Sequence, residues 1–353
     1  VCYNLFVGSI LTIIFLPLIL FWNAFWGRTL ITAGDFTGSD LLDMHYPYKV
    51  ALHEATKNYS LPFWTSHVSN GYPLLAELQA GALYPPNLLL AWLPPQLGLN
   101  YSLILAFSLA GLGTYLYARQ IFKSDHFSAF LAAIAVMFSA FFVTRIKHLN
   151  MIATASIFPF SLYFLKKFMA NYQYRWAILT GVALSWLILA GGQNAFACLF
   201  IFSLFFLFEL YLAYRRRKAR PSWKGLLVMI FFAIIFAAPQ ILPTLEYLQH
   251  TERKQLSWEV VTDYPYHPRN LITFILPYFF GNPADGSYQV NIHQLGVFWE
   301  NASYFGLLPL GLALLTIIRV LQRKETSPYF YFFTGVALLS LLLMLGRFTP
   351  FYQ

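Results

Sequence analysis

The sequence predicts an all-α protein: a polytopic transmembrane helical bundle of about nine spans, with short interfacial helices in two extracytoplasmic loops. Three observations predict it. Of the 353 residues, 58% are apolar and only 10% are charged, whereas a soluble domain carries roughly a quarter charged residues and needs them to wet its surface. Uncharged apolar runs long enough to cross a bilayer recur along the chain. Lysine and arginine gather in alternate connections between those runs. The same composition excludes a disordered chain, a collagen repeat and a disulfide scaffold. The net charge of +9 predicts no nucleic-acid partner, because the excess sits in short loops beside apolar spans. Cys2 and Cys198 have no metal-ligand spacing and make no disulfide framework.

The expected spans are residues 5–26, 99–118, 127–144, 149–165, 225–245, 301–318 and 326–346, each near the length of about 20 residues that a crossing helix needs. The run 176–208 is too long for one span and carries Gly191-Gly192-Gln193-Asn194 in its middle. It reads as two helices joined by a tight turn, which completes the nine. Residues 78–98 are uncharged, but Pro85-Pro86 and Pro94-Pro95 bracket only Asn87 to Leu93, too few to cross. A re-entrant or interfacial element is expected there, and a second at 270–280, before Gly281-Asn282-Pro283. The first apolar stretch is too long for a signal peptide, and no small-residue cleavage site follows it. With no initiating Met and an end just after an apolar run, the chain is expected to be a fragment.

Charge sets the expected orientation. With the N-terminus in the cytoplasm, the even-numbered connections hold 14 of the 23 Lys and Arg residues, including the run from Arg215 to Lys224. The outside keeps 9 basic residues and 11 of the 14 acids, although its loops are longer. Two extracytoplasmic segments result, 27–98 and 246–300. Long ordered loops are usually functional, so polar chemistry is expected there.

The first segment opens with Asp35, Asp40, Asp43 and His45. Asp40 and Asp43 are three apart and share a face on a helical turn. Just past the outer end of a span, a carboxylate is partly desolvated, which raises its pKa toward that of a general base. Asp-x-x-Asp-x-His also has the donor types for a divalent cation, and a solvated acidic loop is the third reading. Seven of the eight histidines lie outside, without the i, i+4 pairing of a helical metal site, and read as ordinary loop residues. Arg145, Lys147 and His148 form the short outer connection between the third and fourth spans, against the prevailing charge bias. Three cations at headgroup level suit an anionic lipid or a phosphate, or snorkel to outer-leaflet phosphates. Arg253, Lys254 and Arg269 are further cations that can serve the same anion. Trp64, Tyr72, Tyr84, Trp92 and Tyr101 fit an interface belt or a sugar-stacking platform. Asn-x-Ser occurs at Asn58, Asn100 and Asn301.

Several phrases, taken in order, resemble one family. They are Ser39-Asp40-Leu41 with Tyr46-Pro47-Tyr48, Leu61-Pro62-Phe63-Trp64, Asn70-Gly71-Tyr72-Pro73, and Leu83-Tyr84-Pro85-Pro86-Asn87. Later come Ala238-Pro239-Gln240-Ile241-Leu242-Pro243-Thr244-Leu245-Glu246, Leu276-Pro277-Tyr278-Phe279-Phe280-Gly281, Tyr304-Phe305-Gly306-Leu307 and Leu345-Gly346-Arg347-Phe348-Thr349-Pro350. Together they resemble the YfhO-type bacterial integral membrane proteins, within the GT-C glycosyltransferase class, over nearly the whole chain. The resemblance implies a single GT-C-like transmembrane domain over 1–353, truncated at its C-terminal end, in the plasma membrane of a bacterium.

It also implies a reaction. A polyprenyl-phosphate-linked sugar is the donor, and an envelope glycan or lipid is the acceptor on the outer face. By motif position Asp40 is the base, with Asp43 second; His45 stands where relatives often have a Gln nearby. Arg145, Lys147, His148 and Arg269 are the expected partners of the donor phosphate, whose growing charge needs fixed cations. No cofactor is required by the pattern, and a divalent metal serves only part of the class. Two other readings remain: a transporter or flippase for a lipid-linked glycan, and a non-catalytic envelope-assembly protein. Transporters place ionisable groups and broken helices near the bilayer midplane, whereas 11 of the 14 acids here lie outside and none is mid-span, and the interruptions at Gly191-Gly192 and Pro239/Pro243 lie near the outer ends.

Overall fold

A computed structural model describes residues 2–32, 39–68, 70–216, 223–251, 257, 265–288, 296–324 and 327–350, with side chains from Phe6 onward. Asp35, Arg253, Lys254, His293 and the middle of the 215–224 basic run lie outside the described residues. Those described are helical with no strand, and one isolated bridge joins Thr65 to Tyr72. The helices are α1 Cys2–Leu20, α2 Trp22–Phe25, α3 Tyr46–Lys57, α4 Pro85–Leu90, α5 Pro95–Ile121, α6 His126–Met137, α7 Ala140–Thr144 and α8 Leu149–Asn171. They continue as α9 Tyr174–Leu189, α10 Ala195–Arg215, α11 Trp223–Leu248, α12 Phe298–Asn301, α13 Leu307–Leu321 and α14 Pro328–Met344.

Five described stretches are long and apolar enough to cross a membrane: Pro95–Ile121, His126–Thr144, Leu149–Asn171, Ala195–Arg215 and Trp223–Leu248. Four shorter apolar helices are Phe6–Leu20, Tyr174–Leu189, Leu307–Leu321 and Pro328–Met344. The stretch 126–144 is interrupted before α7, where Ser139 takes an extended ψ of 156°. The 176–208 run divides at Gly191, as its sequence predicts. Pro94-Pro95, expected to close an interfacial element, instead opens the longest helix. Proline fits the first turn, where its missing N–H has no helical acceptor to lose. The expected interfacial stretches become a six-residue α4 and a 3₁₀ segment, Pro268–Phe274.

The chain forms two compact units. One comprises Val1–Thr32, Ser39–Met137 and Ile146–Thr251, the other Ala33–Gly38, Phe138–Arg145 and Glu252–Gln353. In the first, α5 packs on α1, α6 and α8, while α9 packs on α8 and α11. Of the apolar window of α5, 72% is buried, against 22% for α11, so α5 is the axis of this unit. Ile230, Phe231, Ile234 and Ile235 make α11 apolar on an uncovered side, as a lipid-facing helix must be. Close crossings need small residues. At Gly181 of α9 a Cβ would fall 2.4 Å from the Met229 carbonyl oxygen of α11, and a backbone atom there cannot swing aside.

One buried ion pair crosses this unit: Lys166 Nζ of α8 lies 2.8 Å from both carboxylate oxygens of Glu209 on α10. Removing one partner strands the other charge in a dry site. Glu209→Gln is therefore expected to cost about 3–5 kcal/mol, read as a lower thermal midpoint in detergent, with Glu209→Asp in between. In the second unit α13 packs on α14 and α12 on α7. Ala140 N donates to Tyr304 O at 2.7 Å, which fixes α7 there.

Candidate functional site

The connection between α1 and α5 builds its own small core, in which Tyr48, Ala51 and Leu52 of α3 meet Leu74, Ala80, Ala82 and Ala91. Buried polar side chains anchor it to the helices. Asn100 of α5 accepts from Ile31 N and donates to the Ala24 and Thr29 carbonyls. Gln240 and Thr244 of α11 donate to Leu75 O and Ala76 O at 2.6 and 2.8 Å. The phrase Pro239-Gln240-Ile241-Leu242-Pro243-Thr244 is thus unbroken helix whose polar members hold this connection. Gly191, at φ +80°, lets the α9–α10 turn approach Leu78 so closely that a Cβ would lie 2.0 Å from its carbonyl oxygen. Of the three Asn-x-Ser positions, Asn100 and Asn301 are buried, and Asn58 is exposed.

Ahead of α3, residues Leu41–His45 form a π-helical turn that begins just after Asp40, whose side chain makes no capping hydrogen bond. Such wide turns are rare and recur at functional sites. Asp40 and Asp43 are both exposed. The Asp43 carboxylate accepts from Ser39 N at 3.2 Å and so closes its own turn. Asp40 Oδ2 lies 3.2 Å from His148 Nε2. The carboxylate is 55% exposed and the imidazole 16%, so one partner is open to a ligand and the other is held by the protein.

Behind this pair the buried face of the turn and α3 carries His45, Lys49 and His53 at four-residue intervals, a spacing that stacks side chains on one side of a helix. Lys49 Nζ donates to Asn87 Oδ1 and to Ser102 Oγ, each at 2.7 Å. Ser102 Oγ donates to Gly98 O, and Asn87 Nδ2 donates to Gly81 O. His53 Nδ1 meets Ala91 O at 2.8 Å. Burial without a carboxylate pushes the Lys49 amine down to about 7. Burial first, then the charges of Lys49 and His148, holds His45 down to about 3. Its Nε2 is buried with no hydrogen-bond partner. A chamber of about 20 Å³, lined by His45, Lys49, Gln79, Tyr84, Asn87 and Asn150 among others, lies against these groups and has room for one water-sized species.

The six residues singled out by the sequence divide between the units. Asp40, Asp43, Lys147 and His148 belong to the first, with Lys147 buried. Arg145 and Arg269 belong to the second. There Arg145 makes a bidentate pair with Glu300, at 2.9 and 2.8 Å, and lies 5.0 Å from the Phe141 ring centroid. Arg269 is exposed on the 3₁₀ segment, its N–H bonded to His267 Nδ1 at 3.1 Å. Burial first, then Arg269 and Arg347, lower the His267 pKa. Among the described residues no three His, Cys, Asp or Glu side chains converge as a metal ligand set. Asp40 and Asp43 face outward while His45 faces in.

From the sequence, His45 stands only as a donor beside Asp40 and Asp43, His53 reads as a loop residue, and Lys49 is not singled out. The signal was present: an α-helical face reading Leu41, His45, Lys49, Leu52, His53 places cations where the pattern requires apolar side chains.

These helices, with a polar chamber beside them, define a helical membrane protein. The chain matches no family model, no curated protein and no solved structure.

Proposed function

We propose that the protein is a GT-C-like membrane glycosyltransferase of nine spans in a bacterial plasma membrane, N-terminus inside. It moves a sugar from a polyprenyl-phosphate donor to an envelope glycan or lipid on the outer face. The observation that carries this reading is the exposed Asp40 carboxylate held 3.2 Å from His148 at the head of a π turn. A carboxylate that is open to a ligand yet fixed in direction is what a general base requires.

In this reaction Asp40 takes the proton of the acceptor hydroxyl. The acceptor oxygen bonds to the anomeric carbon as the bond from that carbon to the phosphate oxygen breaks, and the bonding pair leaves with the polyprenyl phosphate. Lys147 and His148, both in the first unit, supply positive charge to the leaving phosphate. Asp43 fixes the turn and is the second carboxylate. A divalent metal is left to experiment: EDTA treatment of the purified protein, followed by Mg²⁺ or Mn²⁺, reports on it directly.

The test is release of polyprenyl phosphate from a panel of polyprenyl-phosphate-linked hexoses, by purified protein in detergent with envelope lipids as acceptors. One donor is expected to be consumed with a matching gain of sugar on the acceptor. A second reading, a carrier for a lipid-linked glycan, draws on Lys49, whose buried amine changes charge near neutral pH. A carrier moves the donor across vesicles without releasing polyprenyl phosphate, so the same assay separates the two.

A further inference from the structure

The Lys49 chamber has a composition that the transfer reaction does not use. Its charged end is a lysine whose ammonium has three protons, and two of them are placed on Asn87 Oδ1 and Ser102 Oγ. No aspartate or glutamate lines the chamber. His45 Nε2 is buried, has no hydrogen-bond partner and belongs to a lining residue. Leu149 and Asn150, the first residues of the 23-residue α8, are also part of the wall, so the positive end of that helix dipole lies beside the space. A volume of about 20 Å³ takes one water-sized particle. Donors without a countercharge, around a space for a single small particle, select an acceptor that carries negative charge.

We propose that this chamber is a binding site for a single monatomic anion of the chloride class, held by Lys49 Nζ and His45 Nε2, with the N-terminal end of α8 beside it. The anion supplies the countercharge that the protein withholds from Lys49. Its binding is therefore linked to the protonation of that amine: a charged Lys49 takes the anion, and a neutral one releases it. Other titratable groups face the same space. They are His45 and Tyr48 from the π turn and α3 and Tyr84 beside α4; His148, ahead of α8 and outside the lining, acts on His45 through its charge. Only Lys49 among them both lines the chamber and changes charge near neutral pH, the amine titrating at about 7. Affinity is expected to fall by up to roughly tenfold per pH unit above that value.

Thermal unfolding of the purified chain in detergent tests this, followed through its nine tryptophans in sodium chloride against sodium gluconate at equal ionic strength. At about pH 6, with Lys49 charged, chloride is expected to raise the midpoint above gluconate, saturably, as ligand binding to the folded state does. At about pH 9 the difference is expected to vanish. Lys49→Met is expected to abolish it at both pH values. His45→Leu, which removes the other donor and no native charge, is expected to raise the half-saturating chloride concentration at least roughly tenfold. Should Lys49→Met fail to fold, His45→Leu decides. Equal midpoints in chloride and gluconate at the lower pH, as for a chamber that holds only water, overturn the proposal. So does an undiminished chloride effect in Lys49→Met, or an unchanged half-saturation in His45→Leu. None of these readings depends on transferase activity.

Discussion

Asp40→Asn is expected to lower sugar transfer by roughly 10²–10⁴-fold, the usual contribution of a positioned general base, while the protein accumulates in the membrane as wild type does. The substitution keeps the shape of the side chain and its acceptor oxygen toward His148 and removes only the basicity. Because the Asp40 side chain is 55% exposed, its charge contributes little to folding, so loss of activity cannot be traced to loss of protein. His148→Gln tests the partner. It keeps a hydrogen-bond donor toward Asp40 but removes the imidazole, and is expected to lower turnover by a smaller factor than Asp40→Asn. Asp43→Asn, which retains an acceptor for Ser39 N, is expected to be milder still. Rates of polyprenyl phosphate release at matched protein concentration and saturating donor check all three. An Asp40→Asn enzyme at the wild-type rate would remove Asp40 from the role of base.

The second large effect concerns stability. The Lys49 amine is held at about 7 in the folded protein, against about 10.4 for a free lysine. Between those values the unfolded chain keeps a proton that the folded chain has released. Stability therefore rises with pH across that window, by up to about 1.4 kcal/mol per pH unit, and falls as pH drops toward 7. Below 7 both states are protonated, this slope disappears and the full cost of a buried charge remains. Lys49→Met, of similar length, removes the titration. It also leaves Asn87 Oδ1 and Ser102 Oγ without their donor, at about 1–3 kcal/mol each, so the change in slope is the reading to take. In gluconate, where no halide competes, the wild-type thermal midpoint is expected to climb from about pH 7 to about pH 9.5, with Lys49→Met nearly flat. Parallel curves would mean that Lys49 is ionised throughout. His45 acts in a lower window: held at about 3, it contributes stability that is lost as pH falls from about 6.5.

Helix content and most helix positions were legible in the sequence because bilayer-length apolar runs and charged connections are strong, redundant signals. The Gly191-Gly192 division of 176–208 was readable for the same reason, since two glycines in an apolar run have little use except a turn. Less visible was everything that depends on which face a residue takes. Pro94-Pro95 looked like the end of a short element, although a proline pair at the first turn of a helix is equally well placed and opens α5. Pro239 and Pro243 read as interruptions, yet α11 runs through both, and its Gln240 and Thr244 bind the Leu75 and Ala76 carbonyls. On its own Lys49 carries no local signal in the sequence, because one lysine in a polar segment is ordinary. Only the packing of α3 against Asn87 and Ser102, 38 and 53 residues away in the chain, makes it buried and uncompensated. Asp40 and His148 are likewise joined by folding alone: each drew attention locally, and no spacing rule pairs residues so distant.

The proposed reaction transfers an envelope sugar and needs the Asp40 carboxylate. Its most direct test is mass spectrometry of envelope glycans and glycolipids from a deletion strain carrying no copy, wild type or Asp40→Asn, at matched membrane levels. The predicted result is a sugar-sized mass lost in the deletion, restored by wild type and absent with Asp40→Asn. Full restoration by Asp40→Asn, or envelope profiles identical in all three strains, would contradict it.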